Sequence, residues 1–349
     1  MNEFDFINKV RTLARARGEA PGLIRGIGDD AAVFDVIPES HLVLTTDLLV
    51  EGVDFRRATT EPRFLGHKAL AVSLSDIAAM GARPRWTLIS LGMPVDVWKP
   101  EVLDEFYEGI FALADRYGVK LIGGDVSRSP EKIVIDSIVV GECQPQHAVF
   151  RSGAKPGDQI FVTGFLGDAA AGLRLIERGA RLDIKQDDAV HPLDLLLLRQ
   201  LQPEPRVGWG LLLGEKHLAS AMIDISDGLS SDLNHLCVES GVGALIDASL
   251  IPIDPIVTEL SGRRALDPLM LALHGGEDFE LLFTVKPENI SKLPTRVDGV
   301  SLTRIGEVKE AADGVRVMEG SRTWELEPGG WQHFGTVKNE GERTVKSEE

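Results

Sequence analysis

The chain has 349 residues, and its 54 Asp and Glu against 37 Lys and Arg give a formal net charge of −17. At roughly 150 residues per domain this length predicts two domains, and 43% hydrophobic with 26% charged residues is typical of a folded globular protein. The acidic balance repels nucleic-acid phosphates and anionic lipid head groups, so neither is an expected partner. Any phosphate ester that binds to this chain needs cations to mediate the contact.

Cysteine usage and hydropathy indicate the cellular compartment. Cys143 and Cys237 are the only cysteines and lie far apart in the sequence, which excludes a disulfide framework and a zinc site. No stretch approaches 18 apolar residues, and the N-terminal segment has no apolar core typical of a signal peptide. We therefore expect a soluble, cytoplasmic protein with no membrane partner.

Helix and strand patterns alternate in the first half of the chain. Apolar residues at helical spacing predict an amphipathic helix over 2–17, and a glycine-rich loop follows over 18–28. A β-rich run over 41–46 ends at Asp47. The next predicted helix begins at Pro62, a residue suited to the first helical turn, and ends at Met80 before Gly81. A further helix is predicted over 100–117, and strands over 85–93, 120–122 and 133–142.

The segment 151–158 holds two glycines and a proline between two apolar runs, which places a domain boundary there. We therefore predict domains over 1–150 and 151–336, followed by a charged, disordered tail over 337–349. No period of 20 to 50 residues repeats. The predicted fold class is α+β, or mixed α/β. In the second half, strands are predicted over 159–163, 221–225, 244–246, 279–285 and 301–308. Helices are predicted over 167–178 and 229–239, with further helices between them up to about residue 213.

The pattern that indicates chemistry is a set of aspartates at the ends of apolar strands. The set comprises Asp47, Asp125, Asp224 and Asp227 after such strands, Asp29 and Asp30 on a glycine turn, and Asp76 inside a mostly apolar helix. A carboxylate buried without a partner costs several kcal/mol. Each like-charged pair about 4 Å apart costs roughly 4 kcal/mol at an effective dielectric constant of about 20. A converging set therefore needs divalent ions, and oxygen ligands without His or Cys favour Mg²⁺.

Ordinary structural roles account for single members of this set. Any one of the aspartates, taken alone, is explained as the N-cap of the next helix or as an Asx-turn residue, and only the whole set favours metal. The segment GIGDDA also fits the pattern G-x-G-x-x-A of dinucleotide sites, but no strand is predicted before it and two aspartates stand where a pyrophosphate belongs. The sequence has no P-loop, G-x-S-x-G or H-E-x-x-H motif, so nucleophilic hydrolase chemistry has no support.

Seven segments, in their order and spacing over about residues 3–335, resemble the thiamine-monophosphate kinase family. They are GIGDDAAV, TTDLLVEGVDF, KALAVSLSDIAAMGARP, LIGGDVSRS, RSGAKPGD, ISDGLSSDL and GGEDFELLF. The resemblance implies a two-domain, aminoimidazole ribonucleotide synthetase-like architecture whose N-terminal domains pair in a homodimer. It also implies Mg²⁺-dependent transfer of the ATP γ-phosphoryl group directly to thiamine monophosphate, which gives thiamine diphosphate and ADP.

The same resemblance implies roles for individual residues. At Asp54 the chain departs from the family, which commonly has His there. Asp30, Asp47, Asp125 and Asp224 are expected to be catalytic by holding several Mg²⁺ ions. The implied metal positions are Asp30, Thr45, Thr46, Asp47, Asp76, Asp125, Asp224 and Asp227. The implied nucleotide contacts are Gly124, Asp125, Arg151, Ser226 and Tyr107, and the implied substrate contacts are Asp54, Glu277 and Trp331.

Two alternatives stay open. One is another ATP-dependent enzyme of the same superfamily, similar to aminoimidazole ribonucleotide synthetase, and the other is a non-catalytic protein that binds nucleotide or divalent metal. Selenophosphate synthetase is disfavoured because the first 142 residues contain no Cys, and a hydrogenase maturation factor because the chain lacks a cysteine-bearing C-terminal tail.

Overall fold

Two β-sheets with helices packed against them make up the protein. The computed structural model describes residues 3–18, 23–25, 33–34, 39–182, 191–264 and 266–331. The predicted tail, Asp29, Asp30 and most of the predicted glycine-rich loop lie outside these ranges. The mixed α/β fold class predicted from the sequence is confirmed. No helix within the described ranges is long and apolar enough to cross a membrane.

The N-terminal half, which here means the elements up to residue 143, contains a four-stranded sheet. Its elements are α1 Glu3–Ala16, β1 Leu23–Arg25, β2 Val33–Phe34, β3 His41–Val50, α2 Pro62–Ala79, β4 Arg83–Met93, α3 Pro100–Tyr117, β5 Lys120–Arg128 and β6 Val134–Cys143. The strand order is β3-β6-β4-β5, antiparallel except for the parallel pair β4–β5. The strands β1 and β2 form a separate antiparallel pair that was not predicted, and β1 immediately precedes the segment GIGDDA.

The C-terminal half, from residue 159 onward, contains an eight-stranded sheet. Its elements are β7 Gln159–Thr163, α4 Asp168–Glu177, α5 Pro192–Leu201, α6 Val207–Glu215, β8 Ala219–Ile225, α7 Leu229–Ser240, β9 Gly243–Asp247, α8 Pro255–Arg264, α9 Pro268–His274, β10 Glu280–Val285, β11 Arg296–Val297, β12 Val300–Lys309, β13 Val315–Glu319 and β14 Arg322–Glu325. The strand order is β14-β13-β9-β12-β7-β10-β8, and β11 pairs with β12. The elements α8, α9, β11, β13 and β14 were not predicted from the sequence.

Two predicted strand ends are wrong. β3 continues past Asp47 to Val50, and β5 continues past Asp125 to Arg128. Both carboxylates lie inside strands because the ladders run on: Asp47 is opposite Ser137 of β6 and Asp125 is opposite Ser90 of β4. The prediction of α3 is confirmed at both ends, since Pro100 begins it and Gly118 ends it in the left-handed conformation at φ 68°.

The helix α2 is the element that joins the two halves. It contacts β3, β4, β6 and α3 of the N-terminal half, and α5, α6, β8 and β10 of the C-terminal half. Every residue from Phe64 to Ser75 is buried. A helix buried on all sides belongs to the core rather than to the surface. The polar side chains that α2 carries therefore need partners from both halves.

Glycines let two helices approach the backbone of α2. A Cβ atom on Gly66 would lie 1.9 Å from the carbonyl oxygen of Phe106 in α3, and a Cβ atom on Gly109 would lie 1.9 Å from the carbonyl oxygen of Arg63. On another side of α2, a Cβ atom on Gly210 of α6 would lie 2.1 Å from the carbonyl oxygen of Ala78. The helices cross at backbone distance, so no side chain can be added at these positions without moving a helix.

We expect Gly66→Ala to destabilise the protein by about 2 kcal/mol. Overpacking costs up to about 3 kcal/mol, and the better helix propensity of alanine offsets about 1 kcal/mol of it. The free energy of unfolding from urea titration measures the effect. The control is Glu108→Ala, at an exposed position of α3, which should stay within about 0.5 kcal/mol of the parent. Equal stability of the two variants would contradict the close approach.

Candidate active site

The N-terminal half of the site is built where β3 faces α2. The hydroxyl of Ser73 donates a hydrogen bond of 2.7 Å to the Asp47 carboxylate, and the hydroxyl of Thr45 donates to the Asp76 carboxylate. Side chains alternate between the two faces of a strand, so Thr45 and Asp47 share the face that packs on α2. Three predicted metal residues, Thr45, Asp47 and Asp76, are therefore brought together.

The C-terminal half adds Asp224, at the end of β8. Its carboxylate accepts a hydrogen bond of 2.6 Å from the hydroxyl of Ser75 in α2. Ser75 directly precedes Asp76 in the helix, so this bond brings Asp224 beside the carboxylates of the N-terminal half. The electrostatic repulsion that Asp224 experiences from Asp76 and Asp47 reflects that proximity.

Burial and like charge make this cluster unfavourable as it stands. Burial raises the pKa of Asp47 to about 6, with repulsion from Asp76 as the next cause. Burial raises the pKa of Asp224 to about 7, again with repulsion from Asp76 next. The pKa of Asp76 is also raised by burial, while the Arg151 guanidinium opposes the rise for both Asp76 and Asp224. A further positive charge in this region would stabilise the ionised carboxylates.

The chemistry of the donor set fits Mg²⁺. Carboxylate and hydroxyl oxygens are the ligands that Mg²⁺ prefers, and the buried carboxylates lack the full charge compensation that a divalent ion would supply. Within the described ranges, however, no three acidic, His or Cys side chains already converge as a site for an ion. Asp30, the further carboxylate that the resemblance assigns to metal, lies outside those ranges. Holding an ion therefore requires the described carboxylates to turn toward it.

Two predicted metal residues are not brought to the cluster. Thr46 is exposed on the opposite face of β3, where its hydroxyl donates to the Asp136 carboxylate. Asp125 is exposed on β5, three strands away from β3 and roughly 14 Å across the sheet at about 4.8 Å per strand. The predicted nucleotide contact Gly124 is exposed beside it. Strand order separates Asp125 and Gly124 from the cluster, and the alternation of side chains along β3 separates Thr46. The motif spacing revealed neither property.

The turn after β8 brings together four more predicted residues. The carbonyl of Ser226 accepts from the backbone N–H of Glu277 at 2.8 Å, and the carbonyl of Asp227 accepts from the N–H of Trp331 at 3.1 Å. The turn itself is held by Asp232, whose carboxylate accepts from the N–H groups of Asp227 and Gly228. Asp232 was not predicted from the sequence, although a first-turn acidic side chain that bonds back to the N–H of the N-cap residue is a known helix-start signal.

Three residues that were not predicted from the sequence, Lys68, Gln200 and Asp136, contact the predicted site residues or lie close to them. The Nζ of Lys68 in α2 lies 2.6 Å from one carboxylate oxygen of Glu277, and the side chain of Gln200 donates to the other. Asp136 faces Thr46 and repels Asp47. Lys68 stands in the segment KALAVSLSDIAAMGARP, in which only Asp76 was predicted to be functional.

Two residues predicted to contact ligands, Tyr107 and Asp54, have other partners in the structure. The ring of Tyr107 is buried in the N-terminal core, at 5.5 Å from the Phe106 ring and 6.0 Å from the Phe111 ring between centroids. A nucleotide contact would require that ring to leave its packing, so the structure gives the adenine-side assignment no support. Asp54 accepts a hydrogen bond of 2.7 Å from the N–H of Val50. This bond fixes the loop at the end of β3.

Comparisons with known proteins assign the family. The chain matches the AIR synthase related protein N-terminal domain over 28–143 and the corresponding C-terminal domain over 155–319. It is 38% identical to the thiamine-monophosphate kinase of Salmonella typhimurium over 337 residues, which cover 96% of this chain and 98% of the relative. The Bacillus subtilis enzyme of the same name is 37% identical, over 96% of this chain and 100% of the relative.

Solved structures agree with these relatives. A thiamine-monophosphate kinase from Stenotrophomonas maltophilia superposes with a TM-score of 0.78 at 40% identity, covering 88% of this chain and 94% of that one. A structure described as AaThiL complexed with AMPPCP and TMP superposes with a TM-score of 0.73 at 33% identity, covering 95% and 97%. The chain therefore belongs to the thiamine-monophosphate kinase family of enzymes.

Proposed function

We propose that this chain transfers the γ-phosphoryl group of ATP directly to thiamine monophosphate, in a Mg²⁺-dependent reaction that gives thiamine diphosphate and ADP. The observation that carries the proposal is that Asp47 of β3 and Asp224 of β8 meet Asp76 beside α2, with raised pKa values for all three carboxyls. The solved relative that holds an ATP analogue together with TMP supports the choice of substrates.

The chain's own residues would act by holding and neutralising charge. Asp47, Asp76 and Asp224 would hold the Mg²⁺ ions. When bound, these ions would cancel the repulsion between the two phosphates and orient an in-line attack. The hydroxyl bond from Ser75 fixes the direction of the Asp224 carboxylate. Arg151, which is exposed beside the cluster, would stabilise the negative charge of the phosphoryl group during its transfer.

The acceptor needs little activation. A phosphate monoester is largely ionised near neutral pH and is already a nucleophile, so neither a strong general base nor a covalent phospho-enzyme is required. The organic half of thiamine monophosphate carries a cationic thiazolium ring. Trp331 is 53% exposed, and its backbone N–H bonds to the turn after β8. Attraction between a cation and its ring would contribute roughly 0.5–2 kcal/mol.

The direct test is to incubate the protein with ATP, Mg²⁺ and thiamine monophosphate and to separate the products by chromatography. We expect equal amounts of thiamine diphosphate and ADP, and no product when EDTA replaces Mg²⁺. Free thiamine should give no product, because without a phosphate it offers nothing for the ions to bridge. Nucleotide binding without turnover would favour a non-catalytic role, and phosphorylation of free thiamine would exclude the proposed acceptor.

We expect Asp224→Asn to lose most activity and yet, in EDTA at pH 8, to unfold a few degrees above the parent, since roughly 2 kcal/mol shifts Tm by about 3 °C in a chain of 349 residues. The Asp224 pKa lies at about 7 in the folded protein and at 3.8 ordinarily. The carboxyl therefore contributes stability at low pH, and that contribution is lost as the pH rises from 3.8 through 7. Asn removes the buried charge, so its advantage should be smaller at pH 5 than at pH 8.

Thermal unfolding at both pH values, with activity measured on the same samples, makes the comparison. A variant that loses activity and is equally destabilised at both pH values would have lost structure rather than a metal ligand. Full activity of Asp224→Asn would contradict the metal assignment.

We also propose that two chains pair through the N-terminal sheet, on the face opposite α2. Leu44 and Leu48 of β3 are 65% and 59% exposed on that face. Beside them Leu42 packs against a small apolar cluster that includes Trp86 and Val140. Exposed apolar side chains that adjoin an apolar cluster mark an interaction surface. The homodimer implied by the family resemblance would cover them.

We expect light scattering to give twice the chain mass of 37.9 kDa for the parent, and one chain mass for Leu44→Asp at micromolar concentration. A charge buried at the centre of an apolar interface is costly. Val238→Asp is the matched control, because Val238 is 76% exposed on α7 of the C-terminal half. A dimeric Leu44→Asp variant would place the interface elsewhere.

A further inference from the structure

The ion pair between Lys68 and Glu277 joins the two halves of the chain beside the proposed acceptor site. Lys68 belongs to α2, and Glu277 stands between α9 and β10. The Lys68 side chain is only 3% exposed, whereas that of Glu277 is 29% exposed, with 2.6 Å between Nζ and Oε1. A lysine this deeply buried is stable only beside an anion. The pair is therefore a built feature of the fold rather than a chance surface contact.

The second oxygen of Glu277 is held as well. The Nε2 group of Gln200, in α5, donates to Oε2 of Glu277, and Gln200 is 6% exposed. The backbone of Glu277 is fixed by its N–H bond to the carbonyl of Ser226 and takes the left-handed conformation at φ 66°. The main chain of Glu277 and both of its carboxylate oxygens are therefore fixed by hydrogen bonds or an ion pair.

This arrangement leaves Glu277 able to accept further hydrogen bonds. Each carboxylate oxygen has two acceptor sites, and the Lys68 and Gln200 bonds occupy one on each oxygen. The exposed part of the side chain can accept hydrogen bonds from a ligand beside the turn after β8, to which the backbone N–H of Trp331 is also bonded. Lys68, by contrast, is too deeply buried to contact a ligand in that position.

We infer that Lys68 and Gln200 are positioning residues for the acceptor. They orient the Glu277 carboxylate so that it accepts hydrogen bonds from the organic half of thiamine monophosphate. Their effect is confined to binding of that organic half and does not extend to ATP. The inference rests on the proposed function, in which Glu277 contacts thiamine monophosphate. If Lys68 positions Glu277 in this way, the affinity for thiamine monophosphate depends on Lys68, although Lys68 does not contact the ligand.

A different ion pair across the two halves provides the comparison. Arg116 of α3 lies 2.5 Å from Glu204, the residue three positions after the end of α5. Both side chains of this second pair are more exposed than that of Lys68, and neither residue belongs to the proposed site. Removing this pair tests what loss of a contact between the halves does without disturbing Glu277.

The experiment measures KM for thiamine monophosphate, KM for ATP and kcat in the full-length variants Lys68→Met, Gln200→Leu and Arg116→Met. We expect Lys68→Met to raise KM for thiamine monophosphate about tenfold, and Gln200→Leu about threefold. KM for ATP should stay within about twofold in both variants. Arg116→Met should leave all three constants unchanged. A purely structural role of Lys68 would alter both KM values and kcat together.

A double-mutant cycle tests whether Lys68 acts through Glu277. In the Glu277→Gln background, Lys68→Met should change KM for thiamine monophosphate by less than about twofold, because the carboxylate that it orients is gone. If the fold-changes in KM of Lys68→Met and Glu277→Gln multiplied in the double variant, the two residues would act independently and the inference would be overturned. If Lys68→Met fails to fold, Gln200→Leu decides: an unchanged KM for thiamine monophosphate in that variant overturns the inference.

Activity of the parent separates failure of the proposed function from failure of the positioning role. A parent protein that forms no thiamine diphosphate overturns the proposed function and this inference with it. An active parent whose KM for thiamine monophosphate is unchanged in both Lys68→Met and Gln200→Leu overturns the positioning role alone.

Discussion

The structure depends on the need to find partners for every polar side chain of a helix that is buried on all sides. A buried polar group without a hydrogen bond, or a buried charge without a counter-charge, costs several kcal/mol. The buried length of α2 carries Lys68, Ser73 and Ser75, and Asp76 follows directly. Their partners come from three places: β3, β8 and the turn before β10. Because some partners lie before α2 and others more than 100 residues after it, satisfying them fixes how the two halves meet.

The same constraint explains why the site lies where it does. Hydroxyl groups on α2 hold Asp47 from one half and Asp224 from the other. The result is a group of carboxylates, one buried and two half-buried, that repel one another. Such a group costs stability in the absence of cations. Active sites commonly retain unfavourable arrangements of this kind because the bound state uses them. Here the electrostatic cost supports the proposal that cations bind beside these carboxylates when the enzyme works.

The sequence predicted helices and residue types well and spatial neighbours less well. Local signals sufficed for α3, where a proline begins and a glycine ends the helix. Asp76 was correctly predicted to be a carboxylate in an apolar helix. The strand order, which separates Asp125 from β3, depends on pairing between distant segments, and the face of β3 occupied by Thr46 depends on register. Lys68 and Gln200 were missed because their shared partner Glu277 is far away in sequence.

The carboxylates that meet beside α2, Asp47, Asp76 and Asp224, are proposed to hold metal ions between donor and acceptor phosphates. The most direct measurement is anomalous diffraction from crystals grown with Mn²⁺, a non-hydrolysable ATP analogue and thiamine monophosphate. We expect anomalous peaks within about 2.5 Å of oxygens of Asp47, Asp76 or Asp224, with phosphate oxygens of both ligands on the same ions. Ions bound elsewhere, with these three carboxylates contacting no metal, would contradict the proposal.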